Sequence, residues 1–193
     1  RSSILAEPVD ERVFETGSSP ADAITMRTGG DALNEATILA KLGESVQLLT
    51  VLGSDPASEL IRAHCRKWGI GLDHTRTEPG VDTGINVVLV KKGGERSFLT
   101  NPHGTLRSLS AEHLEGDYLQ GVKILCFASI FVFPKLGGRE TARLFSRAKE
   151  QGILVCADMT KRKNEETVKD IREALACVDY LFPNYEEAVL VTG

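Results

Sequence analysis

The sequence predicts an α/β protein whose doubly wound, mostly parallel sheet is flanked by helices, with a second, smaller β-sheet beside it. Three observations favour this fold. Residues 45–69 read as an apolar strand followed at once by an amphipathic helix, which is the repeating unit of a parallel sheet. From residue 109 onward, buried strands alternate regularly with helices. A hairpin at residues 83–100 interrupts this series and therefore belongs to the separate small sheet.

The composition is that of an ordinary globular protein and argues against some classes of partner. The chain has 193 residues, of which 41% are hydrophobic and 26% are charged, enough for one sizeable core. A net charge of −4 without any basic run argues against a nucleic acid or an anionic membrane as partner. No apolar run is long enough to span a bilayer, and the first residues are not typical of a signal peptide.

The cysteines and histidines indicate neither a disulfide framework nor a metal centre. The four cysteines are far apart and form no C-x-x-C pair. Cys126 and Cys156 lie in apolar runs, so we expect them to be buried thiols in a reducing compartment, which favours a cytoplasmic location. The four histidines lack the spacing of metal ligands, so we expect no structural metal.

Four strands are expected to form the small sheet. Two of them, residues 4–9 and 23–27, are separated by turn-forming residues and alternate polar with apolar positions in the second strand. The hairpin supplies the other two, residues 83–90 and 95–100, joined by a Lys-Lys-Gly-Gly turn. A hairpin does not fit a series of strand–helix units, so we expect it to pair with the N-terminal strands.

A Gly-Gly turn that opens a helix is the most informative stretch. Gly29 and Gly30 permit a sharp turn and a close approach by a ligand, and helical periodicity then continues to Gly43, a predicted C-terminal cap. Asp31 and Asn34 are three residues apart and face one side of the first turn. A carboxylate and an amide suit a polyol better than a phosphate, which the carboxylate would repel. Alternatively, Asp31 is an acid favoured by the helix dipole and Asn34 a surface residue.

The next strand–helix unit spans residues 45–52 and 56–68, with Gly69 as the helix stop. Asp55 precedes that helix directly. It is either an N-cap or part of a ligand site, and we favour the N-cap because aspartate is preferred there.

The second half of the chain is predicted as regular strand–helix units. Ser110 is the predicted N-cap of the first of these helices. A ligand of such a sheet would lie beyond the carboxyl ends of the strands, where Ser129, Asp158 and Asn184 are found. The predicted strands are residues 122–127, 153–157 and 178–182, and the predicted helices begin at residue 111 and span residues 139–151 and 165–176.

Two pairs of polar residues at these strand ends allow two interpretations each. Asp158 and Arg162, with a hydroxyl between them, could bind hydroxyls, the water shell of a cation or a phosphate, or could form a solvated charged turn. Asn184 and Glu187 have the spacing of a capping box. A capped helix start is also a place where a carboxylate can order the water shell of a metal.

The motifs taken together resemble those of a known family. Gly-Gly-x-x-x-Asn at residues 29–34, followed by Lys-Leu-Gly at residues 41–43, resembles the first signature of the ribokinase-like (PfkB) carbohydrate and nucleoside kinases. Gly-Ser-Asp at residues 53–55 and Asn-x-x-Glu at residues 184–187 agree with that family in order and spacing. The resemblance covers nearly the whole chain.

The resemblance implies a role for the polar residues of these motifs. Gly30, Asp31 and Asn34 would hold the hydroxyl groups of the acceptor. Asn184 and Glu187 would organise Mg²⁺ and phosphate.

Further residues acquire a role from the same resemblance. Asp158 and Arg162 would support either group, although Met159 and Thr160 replace the Pro-Asn that many members carry between them. Asn101, with His103, follows the hairpin where a lid strand would return toward the acceptor; equally, it is a turn residue before Pro102.

The implied activity is the transfer of the γ-phosphoryl group of ATP, with Mg²⁺, to a hydroxyl of a sugar or nucleoside. Residues 1–28 and 83–101 would form a lid that also makes a homodimer interface, and residues 29–82 and 102–193 would form an incomplete α/β core. The family's second signature, D-T-x-G-A-G-D, which supplies the catalytic base, is absent from this sequence. The chain as given is therefore expected to be inactive alone, and the base to lie outside it.

Two other functions stay open at this point. One is a non-catalytic sugar-binding or regulatory module that uses the same pocket. The other, a dinucleotide-binding domain, is disfavoured because no G-x-G-x-x-G follows a first strand. The aspartate that the family carries in its first strand is also missing, and Ser2 or Ser3 falls near its place.

Overall fold

A computed structural model of the chain describes residues 1–160 and 166–192, in two units, Arg1–Leu106 and Arg107–Gly193. None of the helices in these described ranges is both long enough and apolar enough to cross a membrane. In the first unit, the strands are β1 (Ser2–Val9), β2 (Ala23–Thr28), β3 (Val51–Leu52), β4 (Arg76–Thr77), β5 (Ile85–Lys91) and β6 (Arg96–Thr100), and the helices are α1 (Asp31–Lys41) and α2 (Pro56–Trp68).

The β5–β6 hairpin joins the N-terminal strands in one four-stranded sheet, in the order β2-β1-β5-β6. β1 pairs with β2 antiparallel and with β5 parallel, so the sheet is mixed. The sequence pattern predicts this pairing, because a hairpin cannot continue a strand–helix series. The division of the chain into this sheet as a lid and the remainder as a core stays a prediction.

The helices α1 and α2 enclose the apolar core of the first unit. Leu33 and Ala36 of α1 pack in one buried cluster with Ile61 and Cys65 of α2. Both helices begin and end where local signals predict, with Gly43 at φ +91° after α1 and Gly69 in the left-handed region after α2.

His64 connects three elements of this unit through its two ring nitrogens. Its Nε2 lies 2.8 Å from Thr37 Oγ1, and its Nδ1 lies 3.1 Å from Thr28 Oγ1. Thr37 already donates its hydroxyl hydrogen to the carbonyl of Leu33, so Nε2–H must donate to Thr37 and Nδ1 must accept from Thr28. Burial, reinforced by Lys67 and Lys41, lowers the pKa of His64. The neutral imidazole therefore ties β2, α1 and α2 together.

The predicted strand at residues 45–52 is shorter in the structure. Only Val51–Leu52 pairs as a strand, with β4, and Gln47 forms an isolated bridge with Gly71. A turn in which Thr75 N donates to Leu72 O interrupts the partner segment and breaks the ladder between these two points. Because the partner is a turn-containing segment, the apolar pattern alone overestimated the length of this strand.

In the second unit, a three-stranded parallel sheet in the order β7-β8-β9 is covered on one face by the long helix of the unit. Val155 and Ala157 are buried on that face, and Phe127 packs edge-on against Phe145 of the helix with ring centroids 5.3 Å apart. The elements of this unit are β7 (Ile124–Ile130), α3 (Gly138–Glu150), β8 (Leu154–Met159), α4 (Arg172–Leu175), β9 (Tyr180–Phe182) and α5 (Tyr185–Thr192).

The sequence predicts both Cys126 and Cys156 to be buried, and this is wrong for Cys126, which is exposed, while Cys156 is only partly buried. Alternate positions of the three strands face the side opposite α3, where several large apolar side chains are exposed. We call this surface the open face of the second sheet; besides these two cysteines, it consists of Ile124, Leu154, Tyr180 and Phe182. An apolar run here indicates a strand correctly, but it does not show that both faces are covered.

Two predicted helices of the second unit are shorter than expected. Ser110 does act as an N-cap, but the helix it opens is a single 3₁₀ turn, Ala111–Leu114. In the region of residues 165–176, a capping box between Thr167 and Asp170 opens a 3₁₀ turn that runs into the one-turn helix α4. Each cap fixes only the local start, and propagation beyond one turn requires a packed apolar face.

Candidate functional site

The Gly29–Gly30 turn links β2 to α1 in a conformation that requires glycine. Gly29 N donates to Arg1 O at 3.0 Å, and Gly30 then adopts φ +105° and ψ +144° as the residue before the helix. A side chain at Gly30 would be strained at this φ, and its Cβ would lie 3.3 Å from Arg1 Cγ. The sequence signal of two glycines therefore marks a turn that other residues could adopt only with strain.

The first turn of α1 is left without a side-chain cap. Gly30 has no side chain, and within the described parts of the chain the backbone N–H groups of Ala32 and Leu33 have no acceptor. Asp31 and Asn34 lie on the exposed side of the same turn, while Leu33 anchors the turn in the core. The turn thus presents two N–H donors, a carboxylate and an amide to a ligand.

The structure separates Ser2 and Ser3, the two serines that fall near the position where the resemblance leads us to expect an acid. Ser2 is buried and donates to the carbonyl of Ala57 at the start of α2 at 3.3 Å. Ser3 lies on the opposite face of β1, and its Oγ is 3.7 Å from the position that a Cβ on Gly29 would take. Ser3, and not Ser2, is therefore the residue of β1 beside the glycine turn.

Sequence reasoning missed Asn86, which the register places next to Ser3. Ser3 of β1 and Asn86 of β5 are direct partners in the parallel pair. Asn86 is 4% exposed, and its Oδ1 is buried without a hydrogen-bond partner among the described residues. A single amide inside the apolar run of β5 is the signal that could have identified it.

Asn101 follows β6 and forms a turn. Its backbone N donates to Ile85 O at 3.3 Å, and its side-chain Oδ1 accepts from His103 N at 2.9 Å. This is the hydrogen-bonding pattern of an Asx turn, so the side-chain oxygen already has a structural use. A contact between Asn101 and a substrate stays a prediction.

Asp55 is the N-cap of α2, as favoured from the sequence. Its Oδ1 accepts from Ser58 N at 2.7 Å, and its Oδ2 accepts from Thr83 N. Desolvation raises the pKa of Asp55, but these backbone N–H bonds outweigh it and hold the pKa below its ordinary value. The carboxylate joins α2 to the segment before β5.

An open cleft of about 760 Å³ lies beside Asp55, at the start of α2. Its polar side chains are engaged within the protein: Asp55 caps the helix, and Arg62 donates to Thr77 Oγ1 at 2.7 Å. None of the residues of the glycine turn lines this cleft. The cleft is therefore separate from the polar groups at the start of α1.

In the second unit, Asp158 and Ser129 meet at the carboxyl ends of neighbouring strands. Asp158 Oδ1 accepts from Met159 N at 2.6 Å, and Oδ2 accepts from Ser129 Oγ at 3.2 Å. Each is the second-last residue of its strand, and both strands extend further than predicted. This is the edge at which α/β sheets bind ligands. Arg162, the expected partner of Asp158, lies outside the described residues.

Asn184 and Glu187 form a reciprocal capping box at the start of α5. Asn184 N donates to Glu187 Oε2 at 2.8 Å, and Glu187 N donates to Asn184 Oδ1 at 3.0 Å. Glu187 is buried, and its second carboxylate oxygen makes no hydrogen bond to another described residue. The structural interpretation of the motif is therefore correct.

The donor set at α5 fits a magnesium ion only through water or phosphate. No group of three or more His, Cys, Asp or Glu side chains in the described ranges could enclose a metal. Mg²⁺ typically takes one or two carboxylates and completes its octahedron with water and substrate phosphates. One oxygen of Glu187 is compatible with that mode of binding.

Comparisons with known proteins agree with the fold and the order of motifs. The model of the pfkB family carbohydrate kinases matches residues 3–193. Ribokinase from Haemophilus influenzae is 26% identical over 165 residues, covering 86% of this chain and 51% of that protein. Cytidine kinase from Thermococcus kodakarensis is 26% identical over 188 residues, covering 96% of this chain and 61% of the kinase.

A solved structure extends the likeness to three dimensions. Ribokinase from Arabidopsis thaliana, solved in complex with ribose and ATP, superimposes with a TM-score of 0.75 at 21% identity. The alignment covers 100% of this chain and 60% of that one. The chain thus spans roughly half to three fifths of the length of these relatives. It belongs to the PfkB family of carbohydrate kinases.

Proposed function

We propose that this chain is the acceptor-binding part of an ATP-dependent kinase that phosphorylates a hydroxyl group of a sugar or nucleoside. The observation that carries the proposal is the uncapped start of α1, where a glycine at φ +105° leaves two N–H groups beside Asp31 and Asn34. Hydroxyl groups both donate and accept hydrogen bonds, so they can use all of these groups together. A phosphate could use the N–H groups but would be repelled by Asp31.

The roles of the first-unit residues follow from this arrangement. Gly30 keeps the turn open, Asn34 donates to and accepts from one hydroxyl, and Asp31 accepts from another. Asn101 would contact the acceptor through its amide nitrogen, since its oxygen is engaged by His103. The four-stranded sheet would act as a lid over this acceptor.

In the second unit, Asn184 and Glu187 would organise Mg²⁺ and the phosphates of ATP. Glu187 would contribute its second carboxylate oxygen while the first holds the capping box. Bound Mg²⁺ would supply charge neutralisation on the phosphate oxygens during transfer. Asp158, and Arg162 with its positive charge, would support the acceptor or the phosphates.

The catalytic base and most of the nucleotide site would lie in sequence outside the given chain. The D-T-x-G-A-G-D signature is absent here, and the open face of the second sheet leaves Ile124, Tyr180 and Phe182 more than half exposed. A parallel sheet normally has both faces covered, so this face fits a chain that contributes further elements. We propose that the given chain alone binds the acceptor but does not turn it over.

A homodimer through the small sheet is the partner arrangement that we propose. The register places Met26, Ile4, Val87 and Leu99 in one row across the four strands, with Ile24 in the next row. Met26, Leu99 and Ile24 are 63%, 57% and 70% exposed. Such an apolar row on a sheet favours association.

None of the four cysteines forms a disulfide, which favours a cytoplasmic location.

The proposed function is tested with the protein encoded by the complete open reading frame. ADP formation is measured with D-ribose, D-fructose and cytidine, each with ATP and Mg²⁺. We expect turnover with at least one acceptor, and about tenfold lower kcat/KM for Asn34→Ala, because a hydrogen bond to the acceptor is lost. Ile38→Ala, at an exposed position one turn further along α1, is the matched control and should change nothing.

The outcomes separate the two main functions. Saturable binding of an acceptor without ADP formation, in the complete protein, would favour the non-catalytic sugar-binding module instead. The absence of both binding and turnover for all three compounds would contradict the proposal. Equal losses in Asn34→Ala and Ile38→Ala would show that the first turn of α1 is not the acceptor site.

A further inference from the structure

A row of polar side chains crosses the four-stranded sheet beside the start of α1. Ser3 of β1 pairs with Arg27 of β2 and with Asn86 of β5, and Asn86 pairs with Thr100 of β6. Directly paired residues project from the same face of a sheet. Since Ser3 Oγ lies 3.7 Å from the Cβ position of Gly29, this row passes beside the glycine turn.

Asn86 is the buried member of the row and the one with an unused polar atom. It is 4% exposed, and its Oδ1 has no hydrogen-bond partner among the described residues. A buried amide oxygen without a partner destabilises a fold, whereas an apolar residue of similar shape would not. Its neighbours along β5 are valine, isoleucine and leucine, so the strand itself does not require an amide.

We propose that Asn86 is a specificity-determining residue whose side-chain oxygen accepts a hydrogen bond from a hydroxyl group of the acceptor held at the start of α1. The proposal rests on the proposed function, because it assigns a further contact in that acceptor site. An amide oxygen selects an O–H donor and offers nothing to a deprotonated phosphate. Ser3, its direct partner on β1, supplies a neutral hydroxyl beside it.

The ligand class is accordingly a neutral polyol, either a free sugar or the ribose of a nucleoside. Arg27 stands in the same row and is exposed, so a phosphorylated sugar is the competing ligand. The two are distinguished by comparing D-ribose and cytidine with ribose 5-phosphate. The affinity for a neutral acceptor should depend on Asn86, whereas the affinity for a phosphorylated one should depend on Arg27.

The matched control is Thr25, whose Oγ1 is also buried without a hydrogen-bond partner among the described residues. Thr25 of β2 pairs with Leu5 of β1, and Asn86 belongs to β5 on the other side of β1. Two strand spacings, about 9.5 Å, therefore separate them across the sheet. Thr25→Val and Asn86→Leu each replace an unpartnered polar group by an apolar one of similar shape.

The test measures the melting temperature of the ligand-free complete protein and the calorimetric Kd for D-ribose, D-fructose, cytidine and ribose 5-phosphate. We expect both variants to melt at least about 2 °C higher than the wild type, because a buried unpaired group has been removed. For the neutral acceptor that binds best, Asn86→Leu should raise Kd at least about fivefold, while Thr25→Val leaves Kd unchanged.

Each other outcome overturns the proposal. A lower melting temperature for Asn86→Leu, with unchanged Kd, would show that the amide supports the fold only. Should that variant not fold, Asn86→Ala, which adds no atoms, gives the same Kd comparison, and wild-type binding by it would refute the role. Equal changes of Kd in Thr25→Val would assign the effect to the sheet in general, and tighter binding of ribose 5-phosphate than of ribose would refute the ligand class.

Binding by the wild-type protein distinguishes a wrong role for Asn86 from a wrong proposed function. A wild-type protein that binds none of the neutral compounds contradicts the proposed function and overturns this inference with it. A wild-type protein that binds one of them, with no loss in Asn86→Leu, leaves the proposed function intact and overturns only the role of Asn86.

Discussion

Helices α1 and α5 both begin directly after a strand, yet they treat their first backbone N–H groups in opposite ways. At α5, Asn184 and Glu187 exchange hydrogen bonds of 2.8 and 3.0 Å with each other's backbone, so the start is closed by the protein itself. At α1, Gly30 offers no side chain, and the N–H groups of Ala32 and Leu33 have no acceptor among the described residues.

The difference shows how one kind of local feature serves two purposes. A capping box stabilises a helix at the cost of the groups that could bind a ligand. A glycine start forgoes that stabilisation and leaves the groups available. We therefore expect variants at α1 to affect ligand binding more than their surface position suggests, and loss of the Asn184 side chain to lower the stability of the fold.

A third helix shows that glycine alone does not make a ligand site. α3 also follows a glycine N-cap without a side-chain hydrogen bond, Gly137. There, however, a Cβ on Gly138 would collide with the backbone carbonyl of Asp170. Gly138, the first residue of α3, permits close packing of chain against chain, whereas Gly30 sets the backbone angle from which α1 starts.

The largest expected effect is that of Gly30→Ala, which forces a Cβ into the φ +105° conformation. We expect a loss of about 1–3 kcal/mol in unfolding free energy and a loss of acceptor binding. Urea unfolding of the purified protein measures the first quantity and calorimetry the second. Gly17→Ala is the control, since no atom lies within 4 Å of its Cβ position; equal destabilisation by both changes would contradict the role of the turn.

Two substitutions at the start of α5, with the next largest expected effects, distinguish helix capping from metal binding. Asn184→Ala should lower the unfolding free energy by about 1 kcal/mol, because the side-chain cap is lost. Glu187→Gln should change it by less than about 0.5 kcal/mol, because glutamine can still complete the capping box. In the protein encoded by the complete open reading frame, Glu187→Gln should nevertheless raise the Mg²⁺ concentration required for the proposed ADP formation. An unchanged requirement would restrict Glu187 to its structural role.

Asp31→Ala should have a small effect on stability and a larger one on binding. Asp31 is exposed, so its favourable interaction with the helix dipole should be worth about 0.3–1 kcal/mol in unfolding free energy. The rise in melting temperature caused by D-ribose or cytidine should be lost with the carboxylate. Stronger stabilisation by a phosphosugar than by its parent sugar, unaffected in Asp31→Ala, would contradict a neutral polyol as ligand.

The smallest expected effect is the pH dependence contributed by His64. Its pKa in the folded protein lies below the ordinary 6.5, so the unfolded chain binds more protons in this range. The stability that depends on the neutral imidazole is therefore complete above about pH 6.5 and decreases as the pH falls from there. The urea midpoint, measured from pH 7.5 to 5.5, should decline less in His64→Gln, which cannot titrate. An identical decline in that variant would assign the dependence to other groups.

Local sequence signals predicted much of the fold, and they predicted the bounds of a helix correctly where the sequence contains both an N-cap residue and a C-terminal glycine. The bounds of α2 follow from Asp55 as N-cap, Pro56 at the first helical position and Gly69 in the left-handed region. The strand at residues 45–52 failed because its length depends on a partner segment that contains a turn. The exposure of Cys126 likewise depends on which elements cover the sheet.

The candidate site could be predicted only in part for the same reason. Gly30, Asp31 and Asn34 are adjacent in sequence, so a single helical turn brings them together. Ser3 and Asn86 are 83 positions apart, and only the parallel pairing of β1 with β5 places them side by side. The alternation within each strand determines which face is buried, but it does not show which residue of β5 stands beside Ser3.

Hydrogen–deuterium exchange at the backbone amides of the two helix starts, with and without the acceptor, tests the central claim most directly. The amides of Ala32 and Leu33 should exchange rapidly in the ligand-free protein and become protected when D-ribose, D-fructose or cytidine binds. The amide of Glu187, already hydrogen-bonded to Asn184, should be protected throughout and should not respond to the acceptor. Protection of Ala32 and Leu33 before any ligand is added, or an acceptor that binds without altering their exchange, would contradict the account.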